Sequence, residues 1–253
     1  MTTDLVPELT AAALQAAIDA AGDPEDALFL QRFFKTGPGE YGEGDVFVGV
    51  RVPATRAIVK RFERMPLSEA LRTLRSPVHE HRLAALLVMV RQFAVASSAR
   101  QRDDALRSAL HDGYLDAVRE GCVNNWDLVD ASAEYLVGEF LRGGGGDADA
   151  ELDALAASPA LWERRVAMLA TFAWTKAGDG GPALRIASLL LDDREDLMHK
   201  AVGWMLREVG KRVDRALLLG FLDAHAARMP RTALSYATEH LSPEDRARYR
   251  ALR

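Results

Sequence analysis

The chain has 253 residues, 49% of them hydrophobic, which suffices for one large domain or two small ones with a sizeable core. Its single cysteine, Cys122, excludes a disulfide framework and a cysteine-based zinc site, and this favours a reducing cytoplasm. The net charge of −5 argues against a protein that coats nucleic acid indiscriminately. We expect no signal peptide, because residues 1–21 are acidic, and no membrane span, because no apolar run is long enough.

The charge is unevenly distributed along the chain. Residues 1–30 contain six acids and no Lys or Arg, and residues 147–153 contain four more acids. The remainder is net basic, which allows a basic working face on an acidic body.

The N-terminal part begins with two predicted helices, 9–21 and 24–35, rich in Ala and Leu. A loop with four glycines follows at 36–45. It lacks the Gly-Lys-Ser/Thr of a P-loop and the flanking strand and helix of a dinucleotide site, so a surface loop is favoured. The run Val46–Val50 is short but has the composition of a β-strand.

From Pro53 onward the pattern predicts one helix after another, interrupted at Pro and Gly residues. The four glycines at 143–146 predict a loop and not a domain boundary, because the helical rhythm resumes unchanged. We therefore predict one all-α domain over residues 1–253. The predicted helices are 53–64, 67–75, 77–96, 99–111, 114–122, 125–142, 149–157, 159–177, 182–192, 194–211, 213–228, 230–240 and 243–252.

A weak internal repeat is visible among these helices. Ser76-Pro77 and Ser158-Pro159 each lead into a basic residue followed by small and apolar residues, and Lys200–Trp204 resembles both. Two-helix units recurring at about 40 residues are typical of a HEAT-like solenoid, in which the inner helices line a concave groove.

The stretch Asn124–Asp130 is the strongest candidate for chemistry. The Asn pair predicts a helix N-cap, and Trp126 and Asp130 would then share one helix face. An indole face attracts cations and a carboxylate stabilises them, so the pair suits a site that handles positive charge. The alternative is a packed aromatic residue with an acid that complements the helix dipole.

A second candidate is a stripe on the predicted helix 194–211. Lys200, Trp204, Arg207 and Lys211 follow at i, i+4, i+7 and i+11. Aromatic residues interleaved with basic ones are typical of a nucleic-acid-contacting surface. The alternative is an amphipathic helix whose Trp is buried and whose cations extend to solvent.

The sequence gives little support for a metal-binding site or for a nucleophilic catalytic residue. His79 and His81 are two residues apart and so on different helix faces, which is poor spacing for a metal. There is no Gly-x-Ser-x-Gly elbow, and no histidine is near Cys122 in sequence. We expect no metal and no cofactor.

Three ordered motifs together resemble a known family, the DNA alkylation repair family of AlkD-like DNA glycosylases. They are Asn125–Asp130 (NWDLVD), Leu161–Ala167 (LWERRVA) and His199–Glu208 (HKAVGWMLRE). Phe33–Gly37, Phe47–Pro53 and Met229–Arg231 also look like the family. The resemblance covers about residues 28–240. Phe33 stands where some members carry tyrosine, and the loop 36–45 is longer than in the best-known branch.

The resemblance implies an all-helical HEAT-like fold that removes cationic alkylpurines, such as N3-alkyladenine and N7-alkylguanine, from duplex DNA without flipping the base. Asp130 is similar to the family's catalytic aspartate, Trp126 and Trp204 to its groove tryptophans, and Arg165 to its DNA-backbone arginine. Lys200, Arg207, Lys211 and Arg231 complete the expected DNA contacts. We expect a cytoplasmic monomer that associates with the nucleoid when bound to DNA.

Two other functions stay open at this stage. A non-catalytic binder of damaged or branched DNA would keep the same scaffold and groove residues. A HEAT-type protein adaptor would not need a Trp–Asp–Arg–Trp constellation that faces one groove.

Overall fold

The structure, a computed structural model, describes residues 8–252 and divides into two compact units, one ending at Ser132 and one beginning at Ala133. The predicted all-α class is confirmed, because the described part of the chain contains helices and one isolated bridge between Val46 and Val78. The single domain over 1–253 stays a prediction, and its residues 1–7 and 253 lie outside the described part. No helix in residues 8–252 is both long and apolar enough to cross a membrane.

The N-terminal unit is built around one helix, α5. Other helices surround it over most of its length, and 14 of its 18 residues are buried. It packs against α1, α3, α4, α6 and α7. The helices of this unit are α1 (Ala11–Asp19), α2 (Pro24–Gln31), α3 (Val52–Val59), α4 (Leu67–Leu74), α5 (His79–Ala96), α6 (Asp104–Arg119) and α7 (Trp126–Asp130), with a 3₁₀ turn at Lys60–Phe62.

The predicted strand Val46–Val50 is wrong. The segment is extended, but its backbone bonds to a side chain instead of a neighbouring strand: the buried Glu80 carboxylate accepts from the N–H groups of Val48, Gly49 and Val50 at 3.1, 2.8 and 3.3 Å. Gly49 has φ +85°, and a Cβ there would collide with the Asp23 carbonyl.

Two predicted helix boundaries are also wrong. Gly113 does not end a helix; it lies inside α6, where its missing side chain lets the helix approach Leu71. The predicted helix 125–142 is broken, because α7 ends at Asp130. The Ser132 hydroxyl lies 2.6 Å from the Leu128 carbonyl, four residues back, a contact that competes with regular helix bonding.

The C-terminal unit contains a helical repeat. Its helices are a π-helical segment (Glu134–Glu139), α8 (Phe140–Arg142), α9 (Ala148–Ala156), α10 (Leu161–Ala170), α11 (Phe172–Lys176), α12 (Gly181–Leu189), α13 (Asp196–Arg212), α14 (Arg215–His225), α15 (Arg231–Ala237) and α16 (Pro243–Arg250). Helix α13 packs against both α10 and α15, so the three form one row, on which α9, α12 and α14 pack. The row helices begin at residues 161, 196 and 231, a period of 35 residues instead of about 40.

Candidate functional site

Helix α7 begins as the Asn pair predicts. The Asn125 side chain accepts from the Trp126 N–H at 2.9 Å and caps the helix. Trp126 is the first residue of α7 and Asp130 the last, so they lie one turn apart, and both are half-buried. Burial raises the pKa of Tyr114 far above its usual range, and the negative charge of Asp130 raises it further.

The indole of Trp126 is fixed at its edge and on one face. Its Nε1–H donates to the Phe33 carbonyl at 3.4 Å. Its ring stacks on Phe34 at 5.3 Å between centroids and 20° between planes, and Phe34 in turn stacks on Phe47 at 5.0 Å. The sequence places these phenylalanines in segments about 80 to 90 residues earlier, so the stack is a tertiary feature.

Beneath this stack lies a buried histidine. The His79 ring is 4.7 Å from Phe47 and 4.8 Å from Phe34. Its Nδ1 is 3.2 Å from Asp45 Oδ2 and its Nε2 is 2.8 Å from Asp127 Oδ2. Two carboxylate partners require a proton on both nitrogens. Burial lowers the pKa of His79, but the hydrogen bonds to Asp127 and Asp45 outweigh it and raise that pKa to about 9.

Asp45, the last residue of the Gly-rich loop, joins His79 to the α7 cap. It accepts from Arg82 at 2.5 Å and from the Asn125 side chain at 3.1 Å. Arg82 also donates to the Asn124 side chain at 2.6 Å. Burial alone would raise the pKa of Asp45, but the bonds from His79, Arg82 and Asn125 hold it below its usual value. The loop therefore contributes a buried carboxylate to the support of α7.

Sequence reasoning missed this network. His79 and His81 do face different directions, as predicted: His81 lies 2.9 Å from the Ser76 hydroxyl and 2.8 Å from Asp19. Their neighbours on other segments were not visible from spacing. Within residues 8–252, no group of three or more His, Cys, Asp or Glu side chains is arranged to hold a metal ion.

In the C-terminal unit, Trp204 lies half-buried on α13 beside Phe172, at 6.2 Å between centroids. Two cations lie over the Phe172 ring: Lys176 Nζ at 4.7 Å and the Arg212 guanidinium at 5.2 Å from its centroid. Sequence analysis did not select Lys176 or Arg212. Their only signal was that each ends a helix, where cations are favoured.

The predicted stripe on α13 lies on one side of that helix, and its cations differ in how they are paired. Lys200 contacts Asp196 at 2.8 Å. Arg207 pairs with Glu239 and, at 3.4 Å, with Glu208. Lys211 is exposed and beside a cavity of about 240 Å³ that Arg207 also lines.

The remaining predicted DNA contacts differ in exposure. Arg231 is exposed at the start of α15, and its guanidinium lies 3.5 Å from the Arg250 carbonyl. Arg165 is buried, and it donates to the Leu197 carbonyl at 2.6 Å, which ties α10 to the first turn of α13. The DNA-contacting roles of all five cations stay predictions.

Comparison with known proteins identifies the family. The family model described as DNA alkylation repair enzyme matches residues 14–241. The chain belongs to this family. A solved structure of a predicted DNA alkylation repair enzyme from Enterococcus faecalis superposes with a TM-score of 0.65 at 15% sequence identity, over 88% of this chain and 97% of that one. No curated protein matches the chain.

Family membership confirms the resemblance drawn from the three motifs, over a slightly longer span than residues 28–240. It indicates an enzyme with a role in the repair of alkylated DNA, so DNA is the substrate. The structural neighbour, at 15% identity, shows the fold alone.

Proposed function

We propose that this family member is a DNA glycosylase that hydrolyses the N-glycosidic bond of cationic alkylated purines, N3-alkyladenine and N7-alkylguanine, in duplex DNA. The observation that carries the proposal is the pairing of Trp126 and Asp130 on one turn of α7, in a chain of the alkylation repair family. A half-buried indole and a carboxylate at this spacing suit the stabilisation of a cation.

The chemistry asks little of an acid catalyst. Alkylation at N3 or N7 makes the purine a cation and a good leaving group. As the bond to C1′ breaks, positive charge develops on the deoxyribose as an oxocarbenium ion. The Asp130 carboxylate would stabilise that charge and orient the attacking water. The indoles of Trp126 and Trp204 would add cation–π attraction of about 1–2 kcal/mol each when desolvated.

DNA would be held by cations of the C-terminal unit. Lys211 and Arg231 are exposed, and Lys176 and Arg212 lie around Phe172 beside Trp204. This mixture of aromatic and basic side chains is typical of a surface that contacts phosphates and bases. We include Lys200, Arg207 and Arg165 as further candidates. A phosphate contact from Arg165 would either add to its bond with the Leu197 carbonyl or replace that bond.

The deciding experiment compares base release from methylated duplex DNA by wild type, Asp130→Asn and a control, Asp116→Asn. Asp116 is an exposed acid of the same unit that pairs with Arg119 at the surface. Release of 7-methylguanine or 3-methyladenine by wild type and control, with loss of about 100-fold or more in Asp130→Asn, supports the proposal. DNA binding by filter retention should change little.

No release by any of the three proteins, despite salt-sensitive DNA binding, would instead support a non-catalytic binder of damaged DNA. We further propose a cytoplasmic monomer. Light scattering that gives a mass well above 27.7 kDa would contradict the monomer, and fractionation with the membrane or the medium would contradict the location.

A further inference from the structure

Four consecutive residues at the start of α7 are each held by a different partner. Asn124 accepts from Arg82, the Asn125 amide donates to Asp45, and Trp126 donates to the Phe33 carbonyl. Asp127 accepts from His79 at 2.8 Å. A five-residue helix has too few internal hydrogen bonds to fix its own orientation, so these contacts, together with the burial of Leu128 and Val129, determine where Trp126 and Asp130 lie.

The His79 side chain joins two parts of this support. It contacts Asp45, which holds the cap, and Asp127, which lies inside α7. The other oxygen of Asp127, Oδ1, is buried and has no hydrogen-bond donor among the described residues. His79 is therefore the donor that orients the Asp127 carboxylate. Its ring also packs on Phe34, the residue on which Trp126 stacks.

We propose that His79 is a positioning residue for base excision: as an imidazolium it bridges Asp45 and Asp127 and so fixes α7, with Trp126 and Asp130, in its working place. The inference rests on the function proposed above. His79 would not touch the substrate, because it lies buried beneath Phe34 and Phe47.

The proposal predicts an alkaline limit to excision. The charged groups facing His79 are Asp45 at the end of the loop, Asp127 on α7 and Arg82 on its own helix. With its pKa at about 9, His79 keeps both protons at neutral pH and loses one above that value. A neutral imidazole donates only one hydrogen bond, so either Asp45 or Asp127 loses its bond from His79. Excision should then fall as pH rises through about 9.

The test uses His79→Gln, which keeps one donor and removes the charge, with His81→Gln as the matched control. His81 is also buried on α5 and bonded to a carboxylate, but it faces Ser76 and Asp19. Asp127→Asn, which preserves side-chain size, is a second variant that serves if His79→Gln loses its helical circular dichroism. The readouts are kcat and KM for base release between pH 6 and 10, and the Trp126 indole N–H resonance, assigned with Trp126→Phe.

We expect His79→Gln to lower kcat at pH 7.5 by about tenfold or more, with KM changed by less than about threefold. The Trp126 indole resonance should move, and its titration near pH 9 should disappear. His81→Gln should do none of this. A kcat within about twofold of wild type with an unmoved indole resonance would overturn the proposal, as would a His79 ring that titrates near 6.5.

Failure of the proposed function is distinguishable from failure of the positioning role. If wild type releases no base, the glycosylase proposal fails. The indole resonance still decides the positioning role, because its dependence on His79 and on pH needs no substrate. An indole that titrates in wild type and not in His79→Gln supports the role, and an indole indifferent to both overturns it.

Discussion

The two tryptophans proposed for the site are positioned in opposite ways. Trp126 opens a helix of five residues and is held by partners from several distant segments. Trp204 lies in the middle of a 17-residue helix and has Phe172 as an aromatic neighbour. A long helix that buries its apolar side fixes the direction of its own side chains, whereas a single turn takes its direction from what surrounds it.

This difference predicts which kind of substitution should disturb the region around each tryptophan. The Trp126 region depends on polar and charged side chains that have been removed from water, so it should be sensitive to loss of a charge. The Trp204 region depends on close helix packing, so it should be sensitive to added volume.

The largest effect is expected from Arg82→Ala. Arg82 is buried and joins Asp45 to Asn124, so its loss leaves the buried Asp45 carboxylate and the half-buried Asn124 side chain each short of a donor. We expect a loss of about 3–5 kcal/mol in the free energy of unfolding, measured by urea denaturation. The control is Arg75→Ala, whose partner Glu120 is exposed and whose loss should cost less than about 1 kcal/mol. Equal losses in both variants would show that the buried network stabilises the fold no more than a surface ion pair does.

The next largest effect is a pH dependence of the unfolding free energy that is caused by the titration of His79. The pKa of His79 is raised from 6.5 in the unfolded chain to about 9 in the fold. Its contribution to stability, about 3 kcal/mol from this shift, is therefore full below pH 6.5 and is lost as pH rises through about 9. Subtracting the unfolding free energies of His79→Gln from those of wild type at pH 6, 8 and 10 isolates this contribution. A constant difference across that range would contradict it.

The packing of Trp204's helix is tested by Gly203→Ala. A Cβ on Gly203 would collide with the Ala233 carbonyl and the Tyr236 side chain of α15. We expect a destabilisation of about 1–3 kcal/mol. Gly220→Ala is the matched control, since it lies within α14 with nothing close to its Cβ position. That change should stabilise the protein by about 0.5–1 kcal/mol. In thermal unfolding, we expect Gly203→Ala to lower the Tm and Gly220→Ala to raise it. Shifts of the two Tm values in the same direction would refute the packing argument.

The smallest effect is expected from Lys211→Ala, which removes an exposed cation near Trp204 without disturbing the packing. If Lys211 contacts one phosphate, the plot of the log binding constant against the log salt concentration should become shallower, its negative slope losing about 0.9 in magnitude. Lys60→Ala, which removes an exposed lysine of the N-terminal unit, should leave the slope unchanged. An unchanged slope in both variants would remove Lys211 from the proposed DNA surface.

The sequence predicted the long elements well and the short one poorly. The ranges 77–96 and 194–211 correspond to α5 and α13 within two residues at each end, because both helices are long and bounded by clear breaks. Helix α7 was predicted to run to residue 142, since nothing in the apolar pattern reveals that the Ser132 hydroxyl donates to the Leu128 carbonyl.

The candidate site divides in the same way. Asn125, Trp126 and Asp130 were found because they lie within six residues of one another and the cap chemistry of Asn125 is local. Asp45, His79 and Arg82 were missed because they are about 40 to 80 residues away in sequence and meet α7 only in the fold. Nothing in the polar sequence of the first turn of α5 predicts that its residues His79–Arg82 are all buried.

The 35-residue period of α10, α13 and α15 gives the C-terminal unit a modular character. Because α13 packs against α10 on one side and α15 on the other, one more helix pair of the same length inserted between existing pairs would meet surfaces like its own. Gene duplication could thus lengthen this half of the protein without redesigning its core. An engineer could use the same register to extend it by whole repeats.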